Sequence, residues 1–374
     1  MSENIKTRHI EDAARAGTSE TLAQLLDQAP ELTPEELGFA LFLAAHAEST
    51  ACVELLIPRA DTRWRLRGDR FFRDFSYMMG ATALMAAADM MAPDCVRLLL
   101  PVSDAKAADD GGWTALLRAC NDGTPAGFEC AKLLLPFSDP TARSAASFDP
   151  MMAAALSGGV ELTRLLLPLS DPKTKSDDGK TALLYALENG NWDCAELLFP
   201  VSDVADVSPG DESALSLAGC GERFAFALEI AGRLSPEALK EQALAAFQSA
   251  AVNVSGLNNS HILSFFARMA DPIRVRAACP DLFESEAGHG YYANADSVAL
   301  FLDPRAQRKV ARHQHFSQAN FPRLFAALEN SDLREQVKLG HTTVRKSSKI
   351  PPADYYSEKP HSKRLANLRV KVRL

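Results

Sequence analysis

Aromatic residues are scarce in this 374-residue chain, at 7%. No run alternates β-branched with polar residues as the strands of a large sheet would. Nor does any stretch approach the ~20 uncharged apolar residues that a helix needs to cross a bilayer. The opening segment MSENIKTRHIEDAARAG is polar and charged and lacks the apolar core of a secretory signal. A cytoplasmic protein is therefore expected, and any export would use a route independent of such a signal. The seven cysteines are odd in number and none lies in a CxxC pair, which argues against a disulfide framework and against a zinc site.

Catalytic signatures are equally thin. HExxH, GxSxG and GxGxxG do not occur. Gly179-Lys180-Thr181 mimics the end of a phosphate-binding loop, but the earlier glycine would fall at Thr174. His313 and His315 are two apart and would face different sides of a helix. No catalytic residue, metal or cofactor is expected, and an enzyme concealed in 233–335 ranks behind the binding functions.

What is present is alanine, the best helix former, and a repeat. LLIP ends at Pro58, LLLP at Pro101, Pro136 and Pro168, and LLFP at Pro200. The last four are followed by Ser-Asp one residue later. A second anchor keeps step at Thr82, Thr114, Asp149, Thr181 and Ser213, with spacings of 32, 35, 32 and 32. Two anchors locked to one period define a repeat array.

In the copy DDGKTALLYALENGNWDCAELLFPVSD, Asp177-Asp178-Gly179 is a polar turn and Thr181 is placed to cap a short helix with its hydroxyl. Asn189-Gly190 breaks that helix. A second follows with Cys194, Leu197 and Leu198 on one stripe, and Pro200 ends it. Cys52, Cys95, Cys130 and Cys194 share one repeat position on the core face of the second helix, so they are expected to be buried and unpaired.

The pattern resembles the ankyrin repeat: turn, short helix, turn, second helix, then a hairpin finger. The resemblance covers about residues 8–232 and implies an all-α solenoid of stacked helix–turn–helix units. The worn, Ala-rich copies are similar to those of bacterial or phage ankyrin proteins. The family's T-P-L-H is here mostly T-A-L-L or T-A-L-M, and its glycine after the second helix is replaced by serine. That serine or the next aspartate must take up the turn. The expected organisation is an array over 1–232 with an insertion at 59–79, degenerate helical repeats or a cap over 233–337, and a basic tail over 338–374. Pro236–Ala251, His261–Ala270, Ser297–Leu302 and Asn320–Glu329 are candidate helices beyond the array.

Three features could carry function. The insertion interleaves Arg63, Arg65, Arg67, Arg70 and Arg73 with Trp64, Phe71, Phe72, Phe75 and Tyr77. Arginine and large aromatics dominate binding hot spots, so Arg63, Trp64, Arg65, Arg67, Arg70 and Phe71 are candidate contacts on a projecting finger. The alternative is a longer loop that folds its aromatics onto the solenoid and pairs its arginines with an acidic body. Finger tips and positions beside the first helix, where the family usually recognises partners, map to Trp113, Asn121, Asp122, Asp177, Asp178, Lys180, Glu188 and Asn189; Trp113 is read as exposed. The tail 338–374 holds ten Lys/Arg against two Asp/Glu, a net of +8, while 1–337 carries −16.

Arg345, Lys346, Lys349, Lys363, Arg364, Arg369, Lys371 and Arg373 could hold a polyanion such as nucleic acid or add as an edge strand to a partner. They also resemble Arg-rich export signals of secreted bacterial effectors, or could simply lie on the acidic body. The leading expectation is an interaction scaffold for an unidentified protein partner.

Overall fold

The computed structural model describes residues 3–252 except 30, 68–72, 211 and 220–223, together with Phe266 and Ala270. Seven helical pairs follow one another. They are α1 (Glu3–Arg15) with α2 (Ser19–Asp27), α3 (Pro34–His46) with α4 (Thr50–Leu56), α5 (Ala83–Asp89) with α6 (Pro93–Leu99), and α7 (Ala115–Cys120) with α8 (Pro125–Leu134). Next come α9 (Pro150–Ser157) with α10 (Val160–Leu166), α11 (Ala182–Glu188) with α12 (Trp192–Leu198), and α13 (Ala214–Gly219) with α14 (Phe224–Arg233). First helices pack on first helices from α1 through α13, and second helices on second helices from α2 through α12. A longer helix, α15 (Pro236–Val252), lies against α13. No extended strand occurs among the described residues, only isolated bridges at Ala108–Thr114 and Val207–Ser213. The helix expected at Pro236–Ala251 is present; of the candidate His261–Ala270 only Phe266 and Ala270 are described, and the two later candidates and the basic tail lie outside the described residues.

The first helices are buried on every side. Leu37 through Ala45, Ala83 through Ala88 and Ala182 through Leu187 are all core residues. Each such helix touches two neighbours, its own second helix and a finger, and from α3 through α11 none carries a β-branched side chain. Their starts are set by caps: the Thr82 hydroxyl accepts from Met85 N at 3.4 Å, Thr114 from Leu117 N at 3.2 Å, and Asp149 from Met152 N at 2.9 Å. Thr181 departs from expectation. Its backbone opens α11 in the same extended conformation, but its buried hydroxyl makes no hydrogen bond.

The turn after each second helix falls to the second of the two residues that the sequence offered for it. Ser103 and Ser138 are extended, at φ −120° and −112°, so neither supplies a left-handed turn. The aspartate that follows does the turning. Its carboxylate accepts from the backbone N–H two residues on: Asp104 from Lys106 at 2.9 Å, Asp139 from Thr141 at 2.8 Å, Asp171 from Lys173 at 3.0 Å and Asp203 from Ala205 at 3.0 Å. Asp61 does the same for Arg63 at 2.9 Å. The Ser-Asp signature is thus a side-chain turn that needs no glycine.

Fingers are closed by one backbone bond each: Asp109 N to Trp113 O, Ser144 N to Phe148 O, Ser176 N to Lys180 O and Ser208 N to Glu212 O, all 2.9–3.0 Å. Neighbouring fingers are joined by Asp110 N to Met79 O, Ala145 N to Gly111 O and Asp177 N to Ala146 O.

Left-handed residues recur at the end of the first helices: Gly17, Glu48, Met91, Gly158 and Gly190, with φ between 53° and 77°. Glu48 and Met91 stand where other units use glycine. Cys52, Cys95, Cys120, Cys130 and Cys194 are buried free thiols. Burial raises the Cys130 thiol to about 12 and also raises Cys95 and Cys194.

Two outcomes follow. Glu48 is exposed, so Glu48→Gly removes backbone strain and little else, and is expected to stabilise the array by about 0.5–1 kcal/mol. Gly190→Ala meets only the Trp192 indole nitrogen, at an ordinary 3.9 Å, and adds strain, so it should destabilise by about 1 kcal/mol; urea midpoints measure both. All five described cysteines should resist a thiol reagent at pH 8 in native protein and react at once in denaturant, with mass spectrometry counting the adducts.

Candidate recognition face

The insertion is a lengthened finger. Leu66 N bonds Ala81 O and Gly80 N bonds Leu66 O, both at 2.9 Å, so residues 67–80 stand where a regular finger has 110–112. Two of its aromatics, Trp64 and Phe75, fold inward. Trp64 is 8% exposed, with its ring 5.5 Å from Phe39 and 6.3 Å from Phe42. It lies across Gly38, where a Cβ would collide with it, which accounts for a glycine inside α3 despite its cost in helix propensity. Phe75 is buried edge-on to Phe42 at 5.5 Å and to His46 at 4.8 Å. Partial burial lowers the His46 pKa below its ordinary value. Trp64 is therefore a core residue and not a partner contact: an indole with two apolar rings and a glycine beside it gains more from burial than from water.

The insertion's arginines differ among themselves. Arg65 donates to Ala108 O at 2.6 Å and Gly80 O at 3.3 Å, tying this finger to the next. Arg67 lies 3.6 Å from Glu35, with both side chains well exposed. Arg63 is exposed. Arg70 and Phe71 lie outside the described residues. Thr62 secures the base of the finger by donating to Val102 O at 2.6 Å.

A row of rings and cations runs across successive units on the finger side of the first helices. Tyr77 is 58% exposed. Arg118, on α7, stacks over Tyr77 at 5.9 Å and over Trp113 at 5.8 Å. Trp113 meets Phe148 at 6.0 Å, Phe148 meets Tyr185 edge-on at 5.1 Å, and Lys180 stands 5.9 Å from the Tyr185 ring. Trp113, expected to be exposed, is half-buried between Arg118 and Phe148. The packing corrects its exposure but leaves it on this face. Burial and the nearby Asp178 carboxylate push the Tyr185 hydroxyl up to about 12.

Arg118 is the anchor of the row. Its side chain is only 4% exposed and pairs with Asp89 at 2.9 Å and more closely with Asp109, which is 1% exposed. Asp109 also accepts from Gly111 N at 2.9 Å and Trp113 N at 2.8 Å, so one carboxylate shapes the finger and holds the guanidinium. Tyr77 donates its hydroxyl to Asp89 at 3.2 Å.

Lys180 plays a similar part farther on, reaching Glu188 at 2.7 Å in its own unit and Glu212 at 2.8 Å in the next. Asp178 accepts from Tyr185 at 2.8 Å and Asn189 donates to Tyr185 O at 3.0 Å. Asp122 accepts from Thr124 N at 2.7 Å, while Asn121 and Asp177 are exposed. Of the sequence-derived positions, Trp113, Asp178, Lys180, Glu188 and Asn189 are thus brought together through Phe148 and Tyr185. Sequence reasoning missed Tyr77, Arg118, Phe148 and Tyr185 as members of this face. The signal was available for two of them: Arg118 and Tyr185 stand four residues after the capping threonine, where Ala86 and Ala153 stand in other units.

Among the described residues no group of three or more His, Cys, Asp or Glu could hold a metal ion. No described helix is long and apolar enough to cross a membrane.

Removing the buried cation should be costly. Arg118→Met leaves Asp109 unpaired in the interior and is expected to destabilise by about 3–5 kcal/mol. Arg97→Met breaks an exposed pair with Asp94 and should cost no more than about 0.5 kcal/mol, with thermal and urea unfolding as the measure.

A family model described as ankyrin repeats matches three times, over residues 10–105, 68–146 and 126–211. Together these matches span 10–211, more than half of the chain. No curated protein matches the sequence. With paired helices, linked fingers and a shared period beneath those matches, the chain belongs to the ankyrin-repeat family.

Proposed function

We propose that the chain is a protein-recognition scaffold that binds its partner through the face built around Tyr77, Arg118, Trp113, Phe148 and Tyr185. Ankyrin arrays generally serve protein–protein interaction, and this reading assigns the role to a particular surface. The observation that carries it is the unbroken row of rings and cations across four units, with Tyr77 the most exposed ring. Aromatic and arginine side chains held rigid beforehand lose little entropy on binding. Asn121, Asp122, Asp177, Asp178, Glu188 and Asn189 form its polar surround. Arg63 and Arg67 extend it at the lengthened finger, where exposed guanidiniums suit an acidic patch on a partner. On this reading the role is non-catalytic and its place the cytoplasm.

The test is affinity capture from the native host with the full chain, followed by titration of the captured protein. Tyr77→Ala is expected to weaken that complex about tenfold or more with little change in melting temperature. Arg63→Ala with Arg67→Ala should mainly slow association and reduce its salt dependence. A complex that tolerates Tyr77→Ala, Asn121→Ala and Glu188→Ala together would place the interface elsewhere.

A further inference from the structure

The residue after the proline that ends each second helix is apolar in four consecutive units: Val102, Phe137, Leu169 and Val201. All four are exposed, at 41%, 57%, 44% and 41%. They share one repeat position, so they form a single file along one edge of the stacked second helices, on a different surface from the row of rings. Arg59 and Arg233 occupy the corresponding positions at the two ends. Arg59 lies 3.5 Å from Asp27, and Arg233 stacks on Phe199 at 4.6 Å. Four exposed apolar side chains in register, closed off by charge, are more than scattered surface hydrophobes.

A second file runs beside the first. Two residues on from each apolar residue stands an aspartate. Val102 and Asp104 are both exposed, with Ser103 between them only partly so, and Phe137–Asp139, Leu169–Asp171 and Val201–Asp203 repeat the arrangement. One oxygen of each carboxylate is used in its turn.

We propose that residues 365–374 of this same chain dock in extended form along this edge. Three arguments select that occupant. The file is one residue wide, far short of the ~800 Å² per partner that a stable dimer buries, so it suits a single extended segment better than a second copy. Neighbouring helices pack at about 8–10 Å, and an extended chain advances about that far in three residues, so the occupant needs apolar side chains at every third position. Leu365, Leu368 and Leu374 keep that register, with Lys371 filling the fourth place.

The charges agree as well. Arg364 and Arg373, each one residue before a register leucine, share one side of that register, where the aspartates would meet them, and 338–374 carries +8 against −16 for the remainder. More than 100 residues separate Val252 from Leu365, so reach imposes no limit.

The test places a photo-crosslinker in the full chain as Phe137→p-benzoylphenylalanine, an exposed position that folding does not need. Illumination followed by digestion and mass spectrometry should give cross-links to peptides within 365–374. Mixing isotopically light and heavy protein should give no mixed products, showing that the contact is within one molecule. Reversing Arg369, Lys371 and Arg373 to glutamate should lower the yield about tenfold. The same crosslinker as Glu161→p-benzoylphenylalanine, on the outward face of α10, should not reach that segment. Cross-links to other segments, cross-links between molecules, no cross-links at all, or a yield unchanged by the charge reversal would each overturn the proposal. None of these variants touches the row around Tyr77, so the outcome is independent of the recognition reading.

Discussion

Everything in this solenoid depends on how closely one first helix can lie against the next. Each is enclosed by two like helices, a second helix and a finger, and alanine is what that space admits. Ala86, Ala87 and Ala88 in α5, and Ala153, Ala154 and Ala155 in α9, are completely inaccessible. Close packing of small side chains sets the pitch, and the pitch sets where finger meets finger. The backbone bonds between successive fingers can form only because the helices beneath them are held in step.

Against that background a buried arginine at an alanine position is conspicuous. Arg118 is accommodated because Asp89 and Asp109 neutralise it and because Tyr77 and Trp113 offer ring faces. Burying charge is expensive unless each partner is satisfied, and a plain alanine would stack more simply. The cluster fixes the angle of one finger and the orientation of two rings. That is a requirement of a surface that must present the same shape each time, not of the stack itself.

The repeat was legible because its anchors are local: a capping hydroxyl or carboxylate, a leucine stripe and a proline recur whatever the neighbours do. The buried cysteines followed from the same register. The direction of the insertion did not. Composition shows that Trp64 and Phe75 are near arginines, but only the structure shows Phe39, Phe42 and Gly38 waiting beneath them. Trp113 escaped for a similar reason, since its neighbours Arg118 and Phe148 come from a helix and from the next finger. The turn after the second helix was left open between the serine and the aspartate, because the pair was read for backbone freedom when its chemistry is that of a side-chain acceptor. The edge file of Val102, Phe137, Leu169 and Val201 was visible in the sequence at a fixed position, yet it reads as core until exposure is known.

The knot of Phe39, Phe42, Trp64 and Phe75 gives the array a grain. Four rings interlock across the second and third units, where the later units are joined by ring contacts taken one at a time, from Trp113 to Phe148 to Tyr185, and by single backbone bonds between fingers. In a linear stack, where each unit leans only on its neighbours, such unevenness turns a uniform rod into one with a fixed end and a free end. Pulled or heated, it would come apart like a zip with its stop at α3, shedding its far units while the ring cluster still stands.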